Sequence, residues 1–254
     1  RRQRQMCIRD SNMMTGIVTL FAAVVLLGLF GVRQLKLEHP VLNVRPMASV
    51  RFWPACLLVV VSMMTTFSMS VLFPLYFAGA YGMTALVAGL LILPAIACNA
   101  VTSIVGGRVM DARGAWPLLP VGFALIAVGQ ISISMTAASM NIGVVVLLTV
   151  VVYAGVGLVL SPSQTAGLET LPAAEHPHGT ALLNTWNMIA ASFGPSLFIG
   201  LLSSSAVAAG AAGVASDVAQ AIGFAAAVRV AAVIAVVGFA VSLVYARRES
   251  HMSH

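Results

Sequence analysis

The sequence predicts an all-α polytopic membrane protein of about seven transmembrane helices, six in one bundle and one preceding it as a linker helix. Three observations carry this. Hydrophobic residues make up 60% of the chain and charged residues 8%, where a soluble domain is nearer about a quarter charged. The apolar residues gather into continuous runs of about 20, the length that crosses a bilayer as a helix. They do not alternate as the strands of a membrane barrel do. Lys and Arg collect in alternate gaps between the runs, the positive-inside pattern of membrane topology.

Residues 1–12 carry Arg1, Arg2, Arg4 and Arg9 on the side that should be free of basic residues. They read as a non-native or truncated lead and are set aside. Residues 13–34 form the linker transmembrane helix. Residues 35–51 hold Lys36, Arg45, Arg51, Pro40 and Pro46, which suits a cytoplasmic interfacial connector. The bundle occupies 52–246, with apolar runs at 52–77, 86–105, 118–138, 142–160, 181–203 and 222–245. Residues 247–254 form a tail that opens with Arg247 and Arg248. The gaps near 81–84, 139–141 and 204–221 contain no Lys or Arg, and Asp217 is their only charge. The C-terminus is therefore expected in the cytoplasm.

The compact charge cluster at 106–114 holds Arg108, Asp111 and Arg113. It is too polar for hydrocarbon and is expected to be a short cytoplasmic loop. Arg229 is the one charge inside a predicted run, about two turns from its outer end, where a long side chain snorkels to the interface. Its other reading is a partner for an anionic group. His176, Pro177 and His178 beside Glu175 are expected in a loop, and their spacing is too tight for a metal motif. Cys7, Cys56 and Cys98 have no pairing or metal spacing. No Ser-His-Asp, zinc or phosphate-loop pattern occurs, so an enzyme is not expected. The net charge of +6 follows from residues flanking apolar runs and does not indicate nucleic acid.

The stretch Gly82-Met83-Thr84-Ala85-Leu86-Val87-Ala88-Gly89-Leu90-Leu91-Ile92-Leu93-Pro94 resembles the major facilitator superfamily. More narrowly it is similar to the fourteen-span drug:proton antiporter branch, multidrug exporters of bacteria. The cluster at 106–114 resembles the loop motif G-x-x-x-D-R-x-G-R of that superfamily through Gly107, Asp111, Arg113 and Gly114. Ala112 departs from it where a basic residue is common. A third stretch resembles lincomycin-type exporters: Ser161 to Leu168, Leu171-Pro172, His178 to Ala181 and Asn184-Thr185. There Trp186-Asn187 stands in place of Arg-Gln.

The resemblance covers residues 24 to 248 and implies the C-terminal half of a proton-coupled multidrug efflux transporter that works by alternating access. It also implies a bacterial plasma membrane and small amphipathic drug-like substrates. The missing N-terminal half of the same protein and the lipid bilayer are the expected partners. The proton gradient is the expected energy source, and no cofactor is expected. Proton-carrying carboxylates are expected in the other half. Here Asp10, Glu38, Asp111, Glu169, Glu175, Asp217 and Glu249 all fall at span ends, in gaps or in tails.

On this reading Gly107, Arg108, Asp111, Arg113 and Gly114 form a cytoplasmic motif that clasps the second bundle helix to the third, or simply sets topology. Candidate cavity-lining residues are Thr65, Thr66, Met69, Asn99, Tyr153, Gln164, Asn184 and Asn187. Met and aromatic surface with a few amides and hydroxyls suits amphipathic ligands, while Ser and Thr equally serve interhelical hydrogen bonding. Gly155, Gly157 and Pro162 are candidate hinge residues, with close helix packing as their other role. Two alternatives remain: a seven-helix membrane receptor-like protein, and a non-functional fragment of a transporter. A retinal-type receptor requires a Lys inside a span, and the only Lys is Lys36.

Overall fold

The computed structural model describes residues 43–50, 52–115, 117–139 and 141–250, with helical positions scattered between 18 and 35. Of 48, 138 and 246–250 only the backbone is described. The chain divides into two compact units, Arg1–Ser49 and Val50–His254. In the first unit the described positions between 18 and 35 are helical, and Arg45–Ala48 form a 3-10 turn. The lead at 1–12 lies outside the described residues.

The second unit is a bundle of six helices: α1 (Phe52–Tyr81), α2 (Ala85–Arg113), α3 (Leu118–Thr136), α4 (Ile142–Glu169), α5 (His176–Ala211) and α6 (Ser216–Ser250). Among the described residues there are no strands. Each of the six contains a stretch long and apolar enough to cross a membrane. Joined by short links, successive helices run up and down. All six therefore share one basic end, with Arg108 and Arg113 at the close of α2, and an opposite end without Lys or Arg.

The helices outrun their apolar runs. Residues 106–113, expected in a loop, are the last two turns of α2. His176–His178, also expected in a loop, open α5, with Pro177 in its first turn. The 204–221 gap shrinks to 212–215, because α5 reaches Ala211 and α6 begins at Ser216. Hydropathy marks only the part of a helix that lies in hydrocarbon, whereas the backbone continues until a residue breaks it. Gly82 breaks α1 with φ 64°. Its N–H bonds to Ala78 O at 3.1 Å and the Met83 N–H to Phe77 O at 3.2 Å, a glycine C-cap. Gly114 does the same for α2 with φ 75°. α2 is thus about 44 Å long, well beyond the roughly 30 Å of hydrocarbon.

α1 lies at the centre and touches α4, α5 and α6, while α4 in turn carries α2 and α3. Small residues set these approaches, as in other membrane bundles. A β-carbon on Gly155 would come within 2.6 Å of Gly122 O on α3. At the opposite end an aromatic cluster joins α1 to α6. Tyr76 stacks on Phe224 with ring centroids 4.2 Å apart, and its hydroxyl donates to Ala137 O at 2.9 Å. At the basic end the Tyr245 hydroxyl donates to Ala166 O at 3.1 Å.

The antiparallel register of α1 and α6 can be read from three points. Gly79 lies against Gln220, the Phe73 and Tyr76 rings against Phe224, and Gly238 against Val61.

Candidate functional site

The residues singled out from sequence separate into three groups. The first is a hydrogen-bonded girder across α2, α4 and α1. Asn99 Nδ2 donates to Tyr153 O at 3.0 Å. The Tyr153 hydroxyl meets Ser70 Oγ at 3.1 Å. Ser70 bonds back to Thr66 O at 2.9 Å, and Thr66 to Ser62 O at 2.8 Å. α1 and α2 barely touch each other, so both reach Tyr153 from either side of α4. Tyr153 and Ser62 are buried, Asn99 and Thr66 half-buried and Ser70 exposed, so the girder runs from the interior to an open flank at Ser70. Its polar atoms are spent largely on holding helices together. What remains for a ligand is spare acceptor capacity on the hydroxyls.

Thr65 and Met69 do not belong to that flank. Thr65 is 3% exposed and Met69 fully buried, so both pack inside the bundle and not on an open wall. Helical geometry explains this: residues 66 and 70 share a face, while 65 and 69 point about 100° away.

The second group, Gln164, Asn184 and Asn187, lies toward the basic end. Gly167 of α4 packs on Ala55 and Phe52, at the start of α1, which places Gln164 there. Gly194 of α5 packs on Met64 and Ser68, so Asn184 and Asn187 sit roughly 10–15 Å nearer the basic end than that contact. None of the three amides has a full set of partners. Among the described residues Gln164 and Asn184 make no side-chain hydrogen bond, and Asn187 Oδ1 is buried without one. An unpaired buried amide oxygen costs about 1–3 kcal/mol unless something else satisfies it. This group, not the girder, is the part of the site with free hydrogen-bonding capacity.

The third group is the charged motif. Arg108, Asp111 and Arg113 are all exposed, and among the described residues they make no ion pair. Among the described residues no ion pair spans α2 and α3 at the expected clasp, and those two helices hardly meet. Arg113 in the last turn of α2 instead complements the negative end of the helix dipole. Gly114 supplies the left-handed residue that ends the helix. Gly107 has open space around it.

The hinge candidates have packing roles. A β-carbon on Gly157 would overlap Thr102 Oγ1 and lie 2.6 Å from Asn99 O. Gly155 serves the contact with α3 in the same way. α4 continues as helix through Pro162, which is buried.

One residue passed over in the sequence is informative. Gln130, midway along α3, is fully buried, and neither atom of its amide has a partner. A Gln inside an apolar run was the available signal. Ser68 is also fully buried with its hydroxyl unpaired, against Gly194 of α5.

The comparisons with known proteins agree with one another. Residues 11–195 match the Major Facilitator Superfamily. The chain is 31% identical over 189 residues to the lincomycin resistance protein LmrB of Listeria monocytogenes, across 74% of this chain and 40% of that protein. With LmrB of Bacillus subtilis the identity is 32% over 189 residues, across 74% and 39%. With YcnB of Bacillus subtilis, an uncharacterized MFS-type transporter, it is 32% over 228 residues, across 90% and 48%. The chain therefore spans about two-fifths to a half of the length of these relatives. The six apolar helices and the match over residues 11–195 identify a multi-pass membrane protein. This chain belongs to the major facilitator superfamily.

Proposed function

We propose that this chain is the C-terminal half of a proton-coupled multidrug efflux transporter of a bacterial plasma membrane, working by alternating access. The observation that carries the reading is the open face of α5. There the exposed, unpaired amide of Asn184 stands beside exposed Met188, Ile189 and Phe193, with half-buried Asn187 one turn along the helix. Adaptable apolar surface with a few free hydrogen-bonding groups is what a cavity for amphipathic molecules requires. The similarity to lincomycin resistance proteins supports export of drug-like compounds.

In this reading the bundle supplies one wall of a midplane cavity, and a second bundle rocks against it. Asn99, Tyr153 and Thr66 brace that wall, and Gln164, Asn184 and Asn187 meet the substrate. The basic end faces the cytoplasm, as the Lys and Arg distribution favours, and the C-terminus lies there too. The described acidic residues stand at helix ends, so the proton is carried by carboxylates of the other half. The proton gradient drives transport and no cofactor takes part. Gly155 and Gly157 keep α4 packed on its neighbours, and Pro162 lets it flex, as the wall tilts.

The test uses the full-length protein in inverted membrane vesicles, with lincomycin and a fluorescent amphipathic cation as probes. Uptake on energisation, its abolition by a protonophore, and about a tenfold loss in Asn187→Leu with normal protein levels are the expected results. Uptake that survives collapse of the proton gradient overturns the coupling.

A further inference from the structure

Among the described residues Arg229 is the one charged side chain far from a helix end. It lies at the middle of the Ser216–Tyr245 span and is exposed. Within the described residues no hydrogen bond or ion pair holds its guanidinium. It belongs to an open seam on α6. Ile222, Ala226, Arg229, Val233, Val236 and Ala240 recur at spacings of 4, 3, 4, 3 and 4, and all six are exposed or half-buried. Alternating steps of three and four are the pattern of a helix that packs lengthwise on another helix. Ala226 and Ala240 permit a close approach. The neighbouring α3 carries a second polar group at the same depth. Phe123 lies against Gly238, and Tyr76 joins Ala137 to Phe224. Both points give one antiparallel register of α3 and α6, in which Ser132 stands level with Arg229. Ser132 is half-buried between exposed Val128, Ile131 and Met135. Its hydroxyl has no partner among the described residues.

A lone guanidinium at mid-depth is costly, and ionisable groups there pair with an opposite charge. A lipid phosphate lies about 15 Å from the middle of a hydrocarbon core roughly 30 Å thick, farther than an arginine side chain extends. A second copy of this bundle offers no carboxylate at that depth, since Asp111, Glu169, Glu175 and Asp217 all stand at helix ends. We infer that the α6 seam docks a transmembrane helix of another membrane protein, one with an Asp or Glu at the middle of its span. The apolar positions of the seam pack on apolar side chains of that helix. The partner carboxylate accepts hydrogen bonds from the Arg229 guanidinium, and the Ser132 hydroxyl stands at the same depth as a further donor. The attraction is strong because little water screens it in hydrocarbon. One charged position in an otherwise apolar seam fixes the register of the two helices. This face is not the one that the transport reading uses, which is on α5.

The experiment uses the full-length protein in liposomes, with a donor dye on its C-terminal tail. The probe is a synthetic Leu/Ala helix of about 24 residues, long enough to span. It has Lys at both ends, one Asp at its centre and an acceptor dye. Matched helices carry Asn or Leu in place of the Asp. Energy transfer is followed against the peptide-to-lipid ratio. The Asp helix is expected to half-saturate at a ratio at least about tenfold lower than the Leu helix. Arg229→Leu should bring it to the level of the Leu helix. Val233→Trp, which obstructs the seam and keeps the guanidinium, should weaken it at least about fivefold, and Val101→Trp on α2 should leave it unchanged. Equal transfer from the Asp and Leu helices would mean random mixing in the bilayer and overturn the site. An Asn helix that binds as tightly as the Asp helix overturns the acidic partner. No saturable transfer from any helix, the face being closed by lipid or by the other half of the protein, overturns the docking surface. Self-association without peptide that Arg229→Leu abolishes puts a second copy on the seam and overturns the separate partner.

Discussion

α2 and α5 are the two helices that the rest of the bundle leaves most open. Only 17% of the most apolar stretch of α2 is buried, and 22% of that of α5, against 61% for α1. Their open faces differ in kind. That of α2 presents Leu90, Leu93, Ile96, Val101 and Ile104, with its one amide, Asn99, turned inward to Tyr153. That of α5 alternates Phe193 and Met188 with Asn184, Thr185, Ser192 and Ser196. Exposure alone therefore does not distinguish a lipid-facing helix from a cavity-lining one. The distinction lies in the amides, because the hydroxyls of Thr185, Ser192 and Ser196 bond to carbonyls of their own helix. α2 gives its amide to a neighbouring helix and the Thr102 hydroxyl to its own carbonyls, which suits a face in hydrocarbon. α5 leaves the exposed Asn184 amide free, which suits a face in contact with water or ligand.

The way α2 is attached offers the largest effect. It is held mainly to α4, at a spot where Gly157 admits Asn99 and Thr102. Gly157→Val should force the two helices apart, break the Asn99–Tyr153 bond and cost about 3 kcal/mol through overpacking. Protein recovered from membranes as a monodisperse species should fall sharply. A variant of normal yield and melting temperature would show that α2 does not depend on this contact.

Cysteine accessibility separates the two faces directly. In the full-length protein with Cys7, Cys56 and Cys98 replaced, Asn184→Cys and Ser192→Cys should react with a membrane-impermeant maleimide. Leu93→Cys and Val101→Cys should react at least about tenfold more slowly, because a thiol in hydrocarbon does not form the reactive thiolate. Equal rates on both helices would remove the distinction between them.

Much of this was legible in the sequence. The six apolar runs gave six helices in the right order, because hydropathy reports the bilayer's demand on any spanning segment. The helix ends were not legible, because 106–113 and 176–180 are polar enough to suit either a loop or a helix emerging into water. The site was legible only in part. Asn99, Tyr153 and Thr66 were grouped as cavity-lining candidates, and their mutual bonding depends on helix rotation, which composition does not encode. That same rotation buries Met69 and Thr65. The packing role of Gly155 and Gly157 likewise depends on which helices stand beside α4. Residues 106–114 keep their charge pattern at one end of the bundle, and among the described residues Asp111 has no ion-pair partner.

Gln130 gives a smaller effect and a test of the satisfaction argument itself. It is fully buried on α3, a helix that packs on α4 and α6, with both amide atoms unpaired. Gln130→Met keeps the length of the side chain and removes two unmet hydrogen-bonding groups. Stability should rise by about 1 kcal/mol, measured by reversible unfolding in mixed micelles. A fall of similar size would mean that an internal water or another partner satisfies the amide, and that unpaired polar groups in the bundle are not a reliable sign of a ligand face.

Arg229 carries the smallest effect and the sharpest question about exposed apolar faces. The α1–α6 register puts it level with Ser70, about 20 Å from the start of α6. That is deeper than the two turns its apolar run suggested. It is exposed beside Ile222, Val230 and Val233, a face otherwise as apolar as that of α2. Among the described residues it has no partner. A lone guanidinium in hydrocarbon is unfavourable, and bending its long side chain toward the interface recovers only part of the cost. If α6 faces lipid as α2 does, Arg229→Leu should raise the melting temperature in nanodiscs by about 2–4 °C and leave efflux unchanged. If the melting temperature falls instead, the guanidinium holds a carboxylate or a lipid phosphate, and an exposed apolar face on this bundle no longer implies an inert one.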